Sequence, residues 1–181
     1  MKGTKATTEW LEGADALMVL IIEYDRQWPR RLRKESKQIL EVVGDLLIDI
    51  EHIGSTSVEG FAAKPVVDMA GAVERLEAIA SIVDPLADLG YKYYGEYGLP
   101  DRHFFVRHSD DEGFHLHVVQ HGSSYWRRYI AFRDALRESS KLRDEYAKLK
   151  RELATQFADD PDAYSRAKSE FVEQIVGEGC Q

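Results

Sequence analysis

The chain has little that would tie it to an oxidising compartment, a membrane or a polyanion. Cys180 is the single cysteine in 181 residues, so no intrachain disulfide can form and a reducing compartment is expected. The longest apolar run, Ala16 to Ile22, falls far short of the ~20 residues a bilayer-spanning helix needs. Glu12 and Asp15 precede that run and no small-residue cleavage pattern follows it, so it does not read as a secretory signal. A basic excess is also missing. Lys and Arg number 24 against 32 Asp and Glu, a formal net charge of -8. Duplex DNA and anionic membranes attract proteins mainly through a basic face, so neither general DNA binding nor membrane association is expected. Repeats and low-complexity linkers are absent too. These absences together predict a cytoplasmic protein. They leave room for a nucleotide or another phosphorylated small molecule, which a few local cations can hold.

What is present suits one domain with a core of its own, since 44% of the residues are hydrophobic. Residues 1–8 read as a disordered tail. Leu17 to Tyr24 suits a strand or an extended arm. Pro29 fits the first turn of a helix whose apolar face carries Leu32, Ile39, Leu40 and Val43 and which stops at Gly44. Leu46 to Ile53 and Val66 to Val73 read as strands. Leu76, Ile79, Val83 and Leu86 mark a helix ending at Gly90, in which Pro85 predicts a kink or an early stop. Tyr91 to Tyr97, Arg102 to Arg107 and Phe114 to Val119 read as three further strands. Beyond Ser123 the pattern is helical. The expected fold is therefore α/β (α+β): a mixed sheet with flanking helices in residues 9–123, and a C-terminal helical bundle in residues 124–181 packed on that core.

The stretch from Ile50 to Val73 carries the most chemistry. A strand runs into Gly54, Ser55, Thr56 and Ser57, a loop carries Lys64, and a second strand carries Asp68. Glycine lets the backbone approach a phosphate, and exposed amides in such a turn make an anion nest. The hydroxyls of Ser55, Thr56 and Ser57 add donors, and Lys64 adds a point charge. Asp68 is a candidate metal ligand. A plain chain reversal is the alternative, because many Gly-Ser turns do nothing more. His115 and His117 lie two apart on a strand and so share a face. If that face meets Asp68, a mixed carboxylate–imidazole site forms, or His117 serves as a general base. Arg102 is a candidate phosphate ligand, with Arg107 a second. For the arginines the alternative is an ordinary surface ion pair. The charge alternation from Lys141 to Arg151 reads as a solvated helix face, and the helical aromatics read as core.

The run His52-Ile53-Gly54-Ser55-Thr56-Ser57-Val58, followed by Gly60, Ala62-Ala63-Lys64-Pro65 and Asp68, resembles the signature of the GrpB family. The likeness continues in Ile22 to Pro29, in His115-Leu116-His117-Val118-Val119, in Phe132-Arg133-Asp134 with Leu136-Arg137, in Tyr146 to Leu153, and in Tyr164, Lys168 and Phe171. That family is grouped with the polymerase-β-like nucleotidyltransferases, so the resemblance implies a nucleotidyltransferase-type sheet. It implies that Gly54 and Ser55 grip a nucleoside triphosphate and that Asp68 is the first of two metal carboxylates. A divalent ion, Mg2+ or Mn2+ with Zn2+ the alternative, would then sit on Asp68 with His115 and His117. The sequence departs from the pattern where the second carboxylate should be, which is Ala70, and Glu59 and Phe61 replace the usual Pro and Leu.

Three readings follow. One is an enzyme that transfers a nucleotidyl group to a small acceptor, with Asp68, His117 and Lys64 in catalytic roles. Another is a non-catalytic binding or assembly module with a protein partner, since GrpB-like domains also occur fused behind dephospho-CoA kinase. A third is metal-dependent chemistry of another class on Asp68 and the histidine strand.

Overall fold

Alternation along one strand sets the architecture. In Val66–Val73 (β2), Val67, Met69 and Val73 point to one side and Asp68, Ala70 and Ala72 to the other, and nearly all of them are buried. A strand covered on both faces belongs in the middle of a layered sheet. The computed structural model, which describes residues 21–109 and 112–177, shows this arrangement.

The sheet has five strands: Asp49–Ile53 (β1), β2, Lys92–Tyr93 (β3), His103–Ser109 (β4) and Glu112–Gln120 (β5), in the order β1-β2-β5-β4-β3. β2 runs parallel to β5, and the other pairings are antiparallel, so the sheet is mixed. The register sets Asp68 beside His115 and Ala70 beside His117. One face is covered by Trp28–Val43 (α1) and Ile79–Asp88 (α2), which meet Val67, Met69, Val73, Phe105, Leu116 and Val118 in the main core. α1 follows its predicted spacing, burying Trp28, Glu35, Ile39 and Val43, with Pro29 in the first turn. Asp25 prepares its entry, its side chain accepting from the Gln27 amide at 2.8 Å and its carbonyl from Trp28 at 3.1 Å.

The other face carries Ser124–Glu138 (α3), which packs Trp126, Tyr129 and Ile130 over Ala70, Ala72 and Val119. Ser140–Gln156 (α4) and Pro161–Gly177 (α5) complete a bundle with α3. Each start is capped by a short polar side chain accepting a backbone N–H: Ser123 from Trp126, Ser139 from Leu142, and Asp160 from Ala163. The bundle seats on the loop after β1. Phe61 stacks on Tyr146, Tyr146 stacks on Phe171, and Phe132 meets Tyr146 edge-on. Arg133 bridges Glu51 and the His52 carbonyl, and Arg137 donates to the Ser57 carbonyl at 3.0 Å. Among the described residues no helix is long and apolar enough to cross a membrane.

Several boundaries differ from the sequence reading, each for a local reason. The first strand starts at Asp49 rather than Leu46, because Gly44 (φ +54) opens a short 3-10 turn through Leu46. α2 continues through Pro85, anchored by Ile82 and Leu86, both fully buried. β3 is only Lys92–Tyr93, since Gly95, Tyr97 and Gly98 all take positive φ and turn the chain away. The tail at 1–8 and the part of the arm from Leu17 to Leu20 lie outside the described residues. Within the described part of that arm, Ile22 exchanges backbone hydrogen bonds with Ala63.

α1 is fastened to the sheet by a buried carboxylate. Glu35, 2% exposed, accepts from the Tyr91 hydroxyl at 2.7 Å and from both Nε and Nη2 of Arg107. This places Arg107 on the face away from Asp68, so it is an internal ion pair and no phosphate ligand. Glu35→Ala strands a half-buried guanidinium and a buried phenol, and should cost about 3 kcal/mol of unfolding free energy. Urea denaturation checks this; a change below about 0.5 kcal/mol would mean that water reaches Arg107 freely.

Candidate functional site

The site starts from a contact that only glycine permits. Gly54 ends β1 with φ +68 and ψ -172, a region essentially closed to other residues. A Cβ added there would lie 2.6 Å from Oδ2 of Asp68. The glycine-serine turn and the carboxylate are therefore pressed together by the register that pairs Ile53 with Asp68.

The histidine strand closes on the same carboxylate. Nδ1 of His115 is 3.2 Å from Asp68 Oδ1 and Nε2 of His117 is 3.9 Å from it. Behind His117, Arg102 Nη1 lies 3.3 Å from Nδ1. A guanidinium can only donate, so His117 Nδ1 accepts and its proton sits on Nε2, directed at Asp68. Burial works to raise the Asp68 pKa, but the hydrogen bonds and charge of His115 and His117 outweigh it and hold the carboxyl well below the usual range. Burial pushes the His117 ring down, against the pull of Asp68. Asp68 keeps 31% of its side chain exposed, enough for a ligand to reach it.

Cations gather on the bundle side. Lys150 on α4 is buried; its Nζ donates to the Ala62 carbonyl at 2.5 Å and to Ser55 Oγ at 3.2 Å, over the Phe61 ring. Lys64 and Lys168 lie against the Tyr164 ring, at 4.4 and 4.2 Å. Burial raises the Tyr146 pKa, and the Ser55 side chain works against that. Burial and then the charge of Lys168 lower Lys150 to about 7, and burial and then the charge of Lys64 lower Lys168 to about 8. Burial lowers Lys64 too, against the pull of Asp68. Among the described residues no carboxylate forms an ion pair with any of these three lysines.

Other residues singled out in the sequence lie elsewhere. Thr56 is turned inward, its Oγ1 3.0 Å from His52 Nε2, and Ser57 Oγ donates to the Gly54 carbonyl at 2.6 Å; both hydroxyls brace the turn. Arg102 is 5% exposed and bound to the carbonyls of Glu96 and Tyr97, so it supports His117 instead of facing the glycine-serine turn. His103 pairs with the Tyr93 hydroxyl on the opposite face. Lys150 corrects the solvated reading of α4. Its signal was available: Tyr146, Lys150 and Leu153 share an apolar stripe, and Tyr164, Lys168 and Phe171 repeat the same spacing on α5.

The expected metal was a divalent ion on Asp68, His115 and His117. Those side chains do converge, but among the described residues no group of three or more His, Cys, Asp or Glu is arranged to hold a metal ion. Ala70 offers no ligand, and Glu51, which faces it across the strand pair, is engaged by Arg133. One carboxylate with two imidazoles is also a poor match for a pair of hard, oxygen-seeking ions. The donor set does not fit a two-ion centre.

Comparison with known proteins identifies the family and the fold. The GrpB family profile, described as GrpB protein, matches residues 18–178. The chain belongs to the GrpB family. A crystal structure of the conserved protein GrpB from Enterococcus faecalis superimposes with TM-score 0.80 at 31% identity, covering 88% of this chain and 96% of that one. The YqkA protein of Bacillus subtilis is 34% identical over 154 residues, which is 85% of this chain but only 45% of that protein's length. A dephospho-CoA kinase of Mycolicibacterium paratuberculosis is 25% identical over 83% of this chain and 43% of its own length. The fold is shared more widely. Chains in the GLD-2/RNP-8 complex and in the Cid1 poly(U) polymerase bound to Mg and 3'-dATP superimpose with TM-scores 0.55 and 0.51 at 13% and 12% identity, covering 81% of this chain each. This chain thus has a nucleotidyltransferase-like fold, and its own helical bundle brings Lys150 to the turn.

Gly54→Ala should push Asp68 away from the turn and cost about 1–3 kcal/mol through its backbone alone. Thermal unfolding together with the NMR shifts of the His115 and His117 rings checks both effects. Unchanged ring shifts would show that Asp68 is not held by this contact.

Proposed function

We propose that this GrpB-family chain binds the polyphosphate of a nucleotide at Gly54-Ser55 and transfers the nucleotidyl group to a small acceptor. The observation that carries the reading is the set of lysines, Lys64, Lys150 and Lys168, grouped beside an amide-rich turn without a carboxylate partner. Ammonium groups held close together repel one another, and an anion placed among them would relieve that repulsion. Lys150 and Tyr146 would orient Ser55 and the turn, with Lys64 and Lys168 on the outer phosphates. Nucleotide-bound relatives of the fold, such as the 3'-dATP complex of Cid1, lend general support.

In the transfer step the acceptor hydroxyl oxygen attacks the α-phosphorus in line, and the bond to the bridging oxygen of the β-phosphate breaks. Pyrophosphate leaves with that electron pair, its charge held by the lysines. The acceptor proton passes to the ionised Asp68 carboxylate and then to water. Lysine charge takes the part that a second carboxylate and its ion would otherwise play.

Ala70 favours a second reading, in which the same pocket holds a phosphorylated small molecule without turning it over, as a binding module. The match to part of a dephospho-CoA kinase suits that reading. Release of pyrophosphate from ATP, CTP, GTP or UTP, abolished in Asp68→Asn, would establish transfer. Tight binding with no release for any of them would favour the module.

The binding itself is testable without an acceptor. Inorganic tripolyphosphate should bind in the presence of EDTA, and Lys150→Gln and Lys168→Gln should each weaken it about tenfold. Lys150 and Lys168 carry charge only below about 7 and 8, so affinity should fall as pH rises from 6.5 to 8.5. A bound anion raises those pKa values, so binding near pH 8 should take up protons. Calorimetry in two buffers of different ionisation enthalpy reads this directly. Binding that requires Mg2+ and vanishes in EDTA would overturn the lysine account.

A further inference from the structure

Helix α1 carries its charges in the order least suited to a helix on its own. Arg30, Arg31, Arg33, Lys34 and Lys37 crowd its first part, where the acid present is Glu35, already buried against Arg107. Between Lys37 and Lys64 the sequence has no Lys or Arg, while Glu41, Asp45 and Asp49 follow one another. A helix favours acids in its first turn and bases in its last, and α1 has neither. The same order suits a neighbouring helix that runs the other way, with its acidic end against this basic start.

Beside those charges an open groove of about 530 Å³ runs between α1 and β1, with Leu32, Leu40 and Ile50 in its walls and the exposed Arg33, Lys37 and Glu41 along it. β1 is an edge strand, so no further strand covers this side. Leu40 is 42% exposed, and Leu46 and Ile48, on the segment that leads from α1 into β1, are 37% and 52% exposed. Large apolar side chains gathered at the surface in this way mark a contact site. The charges nearby are underused. Among the described residues Arg33 and Asp45 form no ion pair, and Lys37 reaches only Glu41, one helical turn on, at 3.7 Å.

We infer that this groove is a two-fold interface, in which α1 of a second copy of the chain lies antiparallel to α1 of the first. A two-fold interface meets itself and must therefore be self-complementary. With the axis passing α1 at the level of Ile39, Lys37 faces the partner's Glu41 and Arg33 faces the partner's Asp45, and each contact occurs twice. Leu40 lies beside the axis and packs into the groove of the other copy. An acidic or a basic partner of another kind would satisfy one half of this charge stripe and oppose the other, which is why a second copy fits best. α1 covers the sheet face opposite Asp68, so the glycine-serine turn and its lysines stay open in the dimer. The inference stands apart from the transfer reading.

Sedimentation equilibrium of the full chain should show monomer and dimer in exchange, with a Kd of about 1–100 µM, the range of a small interface. Lys37→Glu and Glu41→Lys, both at exposed positions, should each raise that Kd about tenfold, because one reversal spoils two symmetric contacts. The double variant Lys37→Glu/Glu41→Lys restores both cross-pairs and should return the Kd to within about twofold of the original. Leu40→Glu should leave only monomer. Circular dichroism of every variant should match that of the original chain, which separates lost association from lost folding. A chain still monomeric at about 500 µM would overturn the inference. So would a dimer indifferent to Leu40→Glu, or single reversals that the double variant does not rescue.

Discussion

The contact between Gly54 and Asp68 is the constraint on which the rest of the site depends. It exists because β1 and β2 pair with Ile53 opposite Asp68, and because the residue after Ile53 has no Cβ to intrude. With the turn and the carboxylate joined, the parallel pairing of β2 with β5 decides which side chains meet them. That register brings His115 and His117 to Asp68 and leaves Met69 and Leu116 to the core on the other face. Function and stability thus share the same strands, divided only by the pleat.

The helical bundle finishes what the sheet begins. A turn with an ionised acid beside it would repel an anion. The bundle opposes that locally by bringing the buried Lys150 to Ser55 and setting Lys168 against the same tyrosine ring as Lys64 of the loop before β2. Aromatic rings make this possible: Phe61, Tyr146 and Tyr164 accept the lysine heads over their faces while the aliphatic stems stay in the apolar layer. The chain carries an overall negative charge yet holds this concentrated positive site, which suits a small anionic ligand better than a polyanion.

Much of the fold was legible because its periods are clean. β2 and β5 alternate, α1 and α2 repeat at helical spacing, and Gly44 and Gly90 stop their helices. The glycine-serine turn, Asp68 and the histidine pair were legible as well, since one strand face is fixed by counting. What stayed hidden depended on packing between distant segments. Thr56 and Ser57 look like ligands in sequence but turn inward, because His52 and the Gly54 carbonyl are nearer than solvent. Arg102 looks like a phosphate ligand, yet the strained loop before β4 claims it. Lys150 was hidden among alternating charges, although its place four residues after Tyr146 put it on the buried stripe.

A structure of the chain bound to a non-hydrolysable ATP analogue tests the central claim most directly. The account predicts phosphates on the Gly54-Ser55 amides and within hydrogen-bonding distance of the Lys64, Lys150 and Lys168 ammonium groups, with the α-phosphate facing Asp68. Phosphates bound at any other surface, with these lysines still packed against their aromatic rings, would contradict it.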